Sequence, residues 1–407
     1  MSSSTPAPIT SPPVPMSGPD ITELEVSSVV AALASGCLSI GPQLEEFEQR
    51  IARLIGVRHA VGVSSGTAGL HLATIAAGVE TGDLVITSPF SFVASANCIL
   101  YERGIPIFVD VDPVTGNLDA GLVSEAVRDL LAGGAARRRW LPPALRHRDS
   151  GVGRLKAILP VHAFGQPADM DPIVETARAH GLTVIEDACE AIGAEYKQRN
   201  AGGIGDVGVF AFYPNKQMTT GEGGIIVTDN DDWAAQFRSL RNQGRDAMGA
   251  WLQHDRLGYN YRMSELSAAL GVAQLSRLHE LLEARDRVAR LYSDRLSRAD
   301  WLRVPVVSAH TTRMSWFAYV VRLASEVERD HVMRDLAGQG IPSRPYFSPI
   351  HLQRFYVERF GYSRGDFPVT ERLGDVSLAL PFSARLTETE VLRVCDALLR
   401  LASVQGA

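Results

Sequence analysis

The fold of this 407-residue chain is decided by seven short apolar runs: HAVGVS (59–64), LVITSP (84–89), IPIFVDV (105–111), KAILPVH (156–162), TVIEDA (183–188), VGVFAF (207–212) and GIIVTD (224–229). Helix-like stretches separate several of them, for example AGLHLATIAAG (68–78) and MDPIVETARAHG (170–181). Near-continuous apolar strands that alternate with helices are typical of a largely parallel sheet covered on both faces. The pattern therefore predicts an α/β architecture with a seven-stranded, mostly parallel sheet.

The segments on either side of this block predict further helices and strands. Residues 21–55 have the pattern of two helices with a break at 36–42, and residues 264–295 predict one long amphipathic helix. Two strand-like runs follow, SWFAYVVRL (315–323) and VSLALP (376–381). The last helix pattern opens at residue 387 with a capping box, a Thr followed three residues later by a Glu.

These patterns divide the chain into three parts. The Ser- and Pro-rich residues 1–20 predict a flexible N-terminal tail, followed by a large α/β domain at 21–285 and a small C-terminal α+β domain at 286–407. Within the large domain, the arginine-rich segment 133–155 lacks periodicity and predicts a basic inserted loop. Contact with nucleic acid is the alternative for this segment, but its shortness and the acidic balance of the chain favour a solvated loop.

Composition and charge exclude several classes of function. The chain carries 40 basic and 46 acidic residues, a net charge of −6, which does not favour binding to nucleic acid or to an anionic membrane. No apolar run reaches the roughly 18 residues of a membrane span, and the first residues lack the basic start and apolar stretch of a signal peptide. The four cysteines have no C-x-x-C spacing and the ten histidines no H-E-x-x-H spacing, so neither disulfides nor a metal site is predicted. We therefore expect a cytoplasmic enzyme.

One glycine motif is misleading. Residues 203–208 fit the dinucleotide-binding pattern G-x-G-x-x-G, which must follow a strand and open a helix. Here the motif follows a turn-like stretch and leads into the strand VGVFAF, so we do not interpret it as a dinucleotide site.

Three polar features follow apolar strands, at the edge of the sheet where open α/β proteins bind ligands. The turn Ser65–Ala68 leads into a helix whose first N–H groups suit a phosphate, although a plain cap by Ser65 or Thr67 explains the turn equally well. Asp187 ends an apolar strand, where a buried carboxylate needs a charged partner and a surface turn is the alternative. Lys216 lies between an apolar strand and a Gly-rich turn.

Together these features match the requirements of pyridoxal phosphate (PLP). This cofactor needs a lysine that holds it as a Schiff base, an acid that keeps its pyridine nitrogen protonated, and a cradle for its phosphate. Lys216 follows the apolar Phe210 and Phe212, which suits a lysine that must be desolvated to react. Phe92, in the turn after the second strand, is placed to stack on the pyridine ring, with core packing as the alternative.

In these motifs the sequence resembles the DegT/DnrJ/StrS-type sugar aminotransferases, PLP-dependent enzymes with the aspartate aminotransferase fold (fold type I). The similarity extends from about residue 20 to about residue 400, and the order and spacing of its motifs make it specific. The motifs are SGTAGLHLA (65–73), SPFSFVASAN (88–97), DVDP (110–113), PVHAFGQPADMDPI (160–173), EDACEAIGA (186–194), YPNKQMTTGEGG (213–224), GYNYRMSELSAALG (258–271) and PYFSPIH (345–351).

The resemblance implies a role for each matching residue. Lys216 is implied as the Schiff-base lysine and general base, and Asp187 as the partner of the pyridine nitrogen. The implied cofactor-binding residues are Gly66, Thr67 and Ala68 at the phosphate, Phe92 on the ring, Cys189 beneath it, Glu190 near the phenolic oxygen, and Asn260, which reaches the phosphate across a dimer interface. The implied substrate contacts are Tyr213, Tyr346 and His351.

Two positions depart from the family pattern. Ala211 stands where the family commonly has a serine that bonds the phosphate, a loss of about 1 kcal/mol of binding. Glu190 stands where a His or Gln often lies near the phenolic oxygen, and a glutamate there must be protonated or turned away. Neither change touches Lys216 or Asp187, whereas the PLP sugar dehydratases of this family lack the lysine.

The resemblance implies transfer of the amino group of L-glutamate to a keto group of a nucleotide-linked deoxysugar, by a homodimer with shared active sites. Two other functions stay open: amination of a keto-cyclitol of the inosose type, and a catalytically silent regulator that binds PLP or a sugar. The retention of both Lys216 and Asp187 favours an enzyme.

Overall fold

A computed structural model describes residues 12–147, 151–245 and 253–405. The helices within these residues are α1 (Glu23–Ala34), α2 (Pro42–Ile55), α3 (Gly66–Ala76), α4 (Ala94–Tyr101), α5 (Ala120–Ala132), α6 (Gly134–Trp140), α7 (Met170–His180), α8 (Asp231–Arg241), α9 (Glu265–Ser276), α10 (Leu278–Leu296), α11 (Arg329–Gly338), α12 (Arg354–Phe360), α13 (Pro368–Val376) and α14 (Glu388–Gln405). The strands are β1 (His59–Val63), β2 (Leu84–Thr87), β3 (Ile105–Phe108), β4 (Leu155–Leu159), β5 (Thr183–Asp187), β6 (Glu195–Tyr196), β7 (Arg199–Asn200), β8 (Val207–Ala211), β9 (Gly224–Thr228), β10 (Leu302–Arg303), β11 (Thr311–Arg313), β12 (Tyr319–Leu323), β13 (Arg344–Pro345) and β14 (Ser377–Leu380).

The central sheet has seven strands in the order β1-β9-β8-β5-β4-β2-β3, and each of the seven apolar runs supplies one of them. Strand β9 is antiparallel to both of its neighbours, and the pairs from β8 to β3 are all parallel. The predicted mostly parallel sheet is therefore confirmed. Because β5 and β8 are parallel, the residues that follow them meet at the same edge of the sheet.

Both faces of this sheet are covered, as its continuous apolar strands predict. Along β5, Val184 packs into one apolar cluster with residues of α5 and α7, and Ile185 packs into another with residues of α3 and α8. Successive side chains of a strand point to opposite faces. By the same alternation, Glu186 and Asp187 at the end of β5 lie on opposite sides of the sheet.

A second sheet, in the order β10-β12-β14-β13, packs with α10, α11 and α14 around another apolar cluster. The predicted capping box at the start of α14 is present, since the Glu390 carboxylate accepts the Thr387 N–H at 2.9 Å. Helix α10 crosses residue 285, the predicted domain boundary, and the division into domains stays a prediction. The residues Ile350, Tyr356, Phe360 and Tyr362 pack with the large sheet, beside β3.

The predicted flexible tail is wrong for residues 14–16. Val14 is only 2% exposed and packs into the cluster of the second sheet, and its N–H donates to the Gly340 carbonyl at 3.0 Å. The Phe382 N–H donates to the Met16 carbonyl at 2.8 Å. The burial of an apolar side chain and these backbone hydrogen bonds anchor this part of the predicted tail. Residues 1–11 lie outside the described residues.

The predicted long helix at 264–295 is two helices, because the chain breaks at Arg277. This residue has φ −104° and ψ 4°, and it separates α9 from α10. Its guanidinium pairs with the buried carboxylate of Glu25 at 2.9 Å and with Asp20 at 3.3 Å. These contacts join the break at Arg277 to the start of α1. The helical periodicity of 264–295 gives no sign of this long-range interaction.

The segment 133–155 is not the inserted loop that its sequence predicts, because it contains α6 and a 3-10 turn at Pro143–Leu145. Arg139 pairs with Glu125 at 2.6 Å, and the Trp140 indole donates to Asp129 at 2.9 Å. Arg137 donates to the Gly153 carbonyl at 2.5 Å. These side chains therefore make contacts within the chain, and residues 148–150 lie outside the described part. No helix in the described ranges is both long and apolar enough to span a membrane.

Candidate active site

A cavity of about 440 Å³ lies at the ends of β5 and β8. Most of the site residues implied by the resemblance line it. These residues are Gly66, Thr67, Phe92, Asp187, Cys189, Glu190, Tyr213, Lys216 and Tyr346. The folded chain therefore brings together the three strand-end features that the sequence analysis singled out.

Lys216 is held in the loop between β8 and β9. Its Nζ lies 4.0 Å from the centre of the Phe317 ring and 3.5 Å from Oε1 of Glu190. The buried guanidinium of Arg285 donates to the backbone carbonyl of Lys216 at 2.7 Å and to that of Phe317 at 3.2 Å. Because Arg285 binds the lysine loop and the segment that carries Phe317, it fixes the position of the lysine relative to this aromatic wall.

The other lysines of the chain are engaged elsewhere. The sequence has only three lysines, and Lys156 pairs with Asp83 at 3.7 Å while Lys197 pairs with Asp171 at 2.6 Å. Lys216 is thus the single lysine that lines this cavity. The low lysine count is a signal in the sequence that points to Lys216 independently of any motif.

Asp187 is the last residue of β5 and is 5% exposed. Its Oδ2 accepts a hydrogen bond from the Ser95 hydroxyl at 2.6 Å, and its Oδ1 accepts the Cys189 N–H at 3.1 Å. Within the described ranges, no basic side chain forms an ion pair with this carboxylate. Burying a carboxylate without a cationic partner costs free energy, so a positively charged group of a ligand would stabilise this site. A protonated pyridine ring is such a group.

Glu186 has a different environment, on the opposite face of β5. Its carboxylate accepts the backbone N–H groups of Gly202 at 2.8 Å, Ile204 at 2.6 Å and Gly205 at 2.5 Å, and it contacts His162 Nε2 at 2.9 Å. The loop that carries the G-x-G-x-x-G pattern therefore wraps around a glutamate of the same chain. This geometry accounts for the pattern without a dinucleotide.

The first turn of α3 forms one end of the cavity. Ser65 caps the helix, since its hydroxyl accepts the Ala68 N–H at 3.1 Å. The N–H groups of Gly66 and Thr67 belong to the first turn, where no intrahelical carbonyl is in reach, and the helix dipole is positive there. These two groups suit a phosphate, whereas the Ala68 N–H is already used by the cap.

Gly66 is required by the packing at this end of the cavity. A Cβ at this position would lie 2.6 Å from the Cβ of Ala211 and 2.8 Å from the Sγ of Cys189. Both distances are shorter than ordinary contacts between such atoms, so a larger residue would displace its neighbours. The absence of a side chain leaves the backbone of the turn open to the cavity.

Two titratable groups beside Lys216 and Asp187 are held towards their neutral forms. Burial raises the pKa of Glu190, and the nearby Lys216 ammonium and the Phe164 N–H, which donates to Oε2 at 2.9 Å, offset only part of this effect. Burial and the charge of Asp187 raise the pKa of the Cys189 thiol well above its usual value. One oxygen of the Glu190 carboxylate, Oε2, thus accepts a backbone N–H, and the other, Oε1, faces the amine of Lys216.

The outer wall of the cavity is aromatic. Phe92 is 63% exposed and Tyr213 is 51% exposed, and both line the cavity. Core packing, the alternative for Phe92, is therefore wrong. Large aromatic side chains that are exposed at a cavity are available to stack on a planar ligand.

Three implied residues are not brought to the cavity. Ala68 and the exposed Asn260 do not line it, and the backbone of Asn260 forms a bridge with that of Asn242. His351 is fully buried and contacts Glu371 at 3.0 Å, and burial lowers its pKa. The expectation that His351 touches substrate does not fit this position, because the residues around it pack against the large sheet.

Four residues of the site were not found in the sequence analysis: Ser95, Asn215, Arg285 and Phe317. Asn215 precedes the lysine directly, and its buried Oδ1 has no hydrogen-bond partner in the described part of the chain. Arg285 is buried with backbone carbonyls as its partners, and burial lowers its pKa to about 10. From sequence alone, Arg285 is one more basic residue on an amphipathic helix.

Known proteins resemble the chain in sequence and in structure. The model of the DegT/DnrJ/EryC1/StrS aminotransferase family matches residues 19–399. A relative from Caulobacter vibrioides, named GDP-perosamine synthase, is 41% identical over 362 residues, which cover 88% of this chain and 90% of the relative. The structure of S. venezuelae DesV, solved in complex with a ketimine intermediate, is 31% identical with a TM-score of 0.84, covering 96% of this chain and 99% of DesV. The structure of DesI, solved in the presence of its TDP-sugar product, is 31% identical with a TM-score of 0.83, covering 98% of this chain and 95% of DesI.

Proposed function

The chain belongs to the DegT/DnrJ/EryC1/StrS aminotransferase family and is a PLP-dependent sugar aminotransferase, and from this premise we propose its donor and acceptor. The donor is L-glutamate, and the acceptor is a keto group of a nucleotide-linked deoxysugar. The observation that carries the proposal is the cavity beside the first turn of α3, which is lined by Lys216 and by the carboxylate of Asp187, a group without an ion-pair partner among the described residues. The name of the Caulobacter vibrioides relative and the TDP-sugar product of DesI support a nucleotide-linked acceptor.

The residues of the cavity fit PLP. When bound, the cofactor supplies an aldehyde that condenses with amines and a protonated pyridine ring that withdraws electrons. The N–H groups of Gly66 and Thr67 would hold its phosphate, and Asp187 would pair with its pyridine nitrogen. Phe92 would cover the ring from the exposed side.

The chain's own side chains supply the proton transfers. Lys216 Nζ removes a proton from Cα of the amino donor and delivers a proton to the carbon that becomes the amine-bearing carbon of the sugar. Phe317 and Glu190 limit the positions that Nζ can take, since they lie 4.0 Å and 3.5 Å from it. Arg285 donates to the backbone carbonyl of Lys216, which limits the movement of the loop that carries the amine.

The test is a pair of half-reactions on the purified holoenzyme. L-Glutamate alone is expected to release 2-oxoglutarate, and the loaded enzyme is then expected to aminate one member of a panel of GDP-, dTDP- and UDP-linked keto sugars. Amination of an inosose-type cyclitol, with no reaction of the sugars, would identify the keto-cyclitol aminotransferase instead. No release of 2-oxoglutarate from the PLP-loaded protein would favour the silent regulator.

Ala211→Ser is expected to tighten the binding of PLP. Ala211 lies beside Gly66 at the end of the cavity that suits the phosphate, so a hydroxyl at this position adds a donor. One such hydrogen bond contributes about 1 kcal/mol, which corresponds to a roughly fivefold lower dissociation constant. The dissociation constant is measured by titration of the apoprotein with PLP.

The control for this prediction is Ala132→Ser, at the exposed end of α5, which is expected to leave the affinity unchanged. Equal affinities of Ala211→Ser and the wild-type protein would contradict the phosphate assignment for this end of the cavity.

We propose that the working unit is a homodimer with shared active sites. Helix α1 and the residues next to it expose an unusual set of apolar side chains, which are Ile21, Leu24, Val26, Val30, Leu33, Leu38 and Ile40. Exposed apolar patches of this kind are typical of protein–protein interfaces. Asn260 lies on the surface outside the cavity of its own chain, which is compatible with its implied contact to the phosphate in a partner.

Co-expression of two inactive variants tests the shared site. We expect Lys216→Ala chains and Asn260→Ala chains to be poorly active alone and to recover activity when they form heterodimers. If Asn260 acts across the interface, one site of each heterodimer contains both substitutions and the other site contains neither. If Asn260 acts within its own chain, each of the two sites contains one substitution and no activity returns. Heterodimers are isolated with two affinity tags, and a fully active monomer would contradict the proposal.

A further inference from the structure

A second, smaller cavity of about 210 Å³ adjoins the catalytic cavity. The two share three wall residues, Asn215, Phe317 and Tyr346. The residues that line only the smaller cavity include Arg344 and, from the anchored N-terminal segment, Met16 and Ser17. A ligand too long for the catalytic cavity can therefore extend into this space.

The charges on the walls of the catalytic cavity are unfavourable for an anion. Asp187 and Glu222 place carboxylates on its wall, burial holds Glu190 towards its neutral form, and Lys216 is the single basic residue among the residues that line it. The N–H groups of Gly66 and Thr67 would be taken by the cofactor phosphate, so the diphosphate of a nucleotide-linked sugar needs a further donor, and a basic side chain is a strong one. Of the described residues that line either cavity, Arg344 is the one arginine.

The guanidinium of Arg344 is available for a ligand. Its Nη1 donates to the Ser343 carbonyl at 3.1 Å, and in the described ranges no carboxylate forms an ion pair with it. Arginine has five N–H donors in a planar fork that matches phosphate oxygens, so most of this binding capacity is unused. The residue is exposed, and it lies at the start of β13, which pairs with β14 in the second sheet.

Aromatic rings connect this guanidinium with the catalytic lysine. Lys216 Nζ lies 4.0 Å from the centre of the Phe317 ring, and the centre of the Tyr346 ring lies 6.3 Å from that of Phe317. Arg344 lines the smaller cavity together with Tyr346 and Phe317, so the guanidinium and these two rings border the same space. A sugar ring beside Lys216 would thus direct its linked phosphates along Phe317 and Tyr346 towards Arg344.

We propose that Arg344 binds the diphosphate of the nucleotide-linked sugar, and that the cavity beside it accepts this part of the substrate. The inference rests on the proposed function, because it requires a nucleotide-linked acceptor. The diphosphate fits better than the carboxylates of L-glutamate, because the amino donor is small enough to remain within the catalytic cavity. Arg344 therefore distinguishes the acceptor from the donor.

The test compares three variants of the PLP-loaded enzyme. Arg344→Gln removes the charge, Arg344→Lys keeps the charge without the fork, and Arg354→Gln is the control, since Arg354 pairs with Glu358 on α12 and lines neither cavity. Calorimetry with GDP, dTDP and UDP identifies the diphosphate that the wild-type enzyme binds best. For that nucleotide, we expect Arg344→Gln to raise the dissociation constant about 10- to 100-fold, Arg344→Lys to raise it less, and Arg354→Gln to leave it unchanged.

The kinetic measurements separate failure of this inference from failure of the proposed function. We expect Arg344→Gln to raise KM for the nucleotide-linked sugar and to leave the reaction with L-glutamate unchanged. Wild-type affinity of Arg344→Gln for the diphosphate, in an enzyme that aminates nucleotide-linked sugars, would overturn the inference alone. A raised KM for L-glutamate with unchanged diphosphate binding would also overturn it, and would assign Arg344 to a carboxylate. A wild-type enzyme that neither binds a nucleoside diphosphate nor aminates these sugars would overturn both.

Discussion

Lys216→Ala is expected to abolish transamination, with turnover falling by at least about 10³-fold, because no other amine is available in the cavity. Lys156 and Lys197 are held by Asp83 and Asp171 and line no part of it. The wild-type protein is expected to be yellow with PLP bound to its lysine and to lose this colour with L-glutamate. The variant is expected to lose the absorption band of the Schiff base and still to retain PLP, since Asp187 and the turn that is proposed to bind the phosphate are intact.

The measurement combines turnover, absorption spectra and mapping of the cofactor. Reduction of the wild-type holoenzyme with borohydride, followed by digestion and mass spectrometry, is expected to find PLP on the peptide that contains Lys216. Lys156→Ala and Lys197→Ala are the matched controls, and both are expected to keep the colour and the activity. A yellow and active Lys216→Ala protein, or PLP trapped on either of the other two lysines, would refute the assignment.

The sheet could be predicted from the sequence because its signal is local. Each of the seven strands is a short apolar run bounded by polar or helical residues, and burial on both faces removes the need for alternation. Contacts between distant segments were not predictable in the same way. The break at Arg277 depends on Glu25, and the anchoring of Val14 depends on the second sheet. Neither interaction leaves a periodic signal in its own segment.

The residues of the active site likewise divide into those that a local pattern in the sequence indicates and those that depend on contacts between distant segments. Asp187 and Lys216 could be singled out because a charged residue at the end of an apolar strand is conspicuous. The residues that position them were missed, since Ser95 lies in α4 and Arg285 lies in α10, and each reaches the site only through the fold. His351 illustrates the opposite error, because a residue close in sequence to the cavity wall at Tyr346 is directed into the core.

The geometry of Asp187 makes its replacement informative. An asparagine has nearly the same shape, and its Oδ1 can still accept the Cys189 N–H. Its amide nitrogen can donate to the Ser95 hydroxyl, because that hydroxyl can in turn donate to the Phe92 carbonyl, from which it lies 3.1 Å. Asp187→Asn is therefore expected to fold and to bind PLP, while it removes the negative charge that is proposed to pair with the pyridine nitrogen.

Without that charge the pyridine nitrogen is no longer held protonated, and its capacity to withdraw electrons is lost when Lys216 removes the proton from the donor. Breaking a buried charge pair costs about 3–5 kcal/mol, so we expect Asp187→Asn to lower turnover by about 10²- to 10³-fold or more. Turnover, PLP content and the thermal midpoint are measured together, so that a loss of activity with retained cofactor and fold can be recognised. Ser95→Ala is the matched comparison, because it removes one hydrogen bond from a neutral donor to the same carboxylate but leaves the charge in place, and it is expected to cost about tenfold. A turnover near that of the wild-type enzyme in Asp187→Asn would transfer the pyridine contact to another group. Glu186 could not take that role, because its carboxylate is bound by three backbone N–H groups on the opposite face of β5.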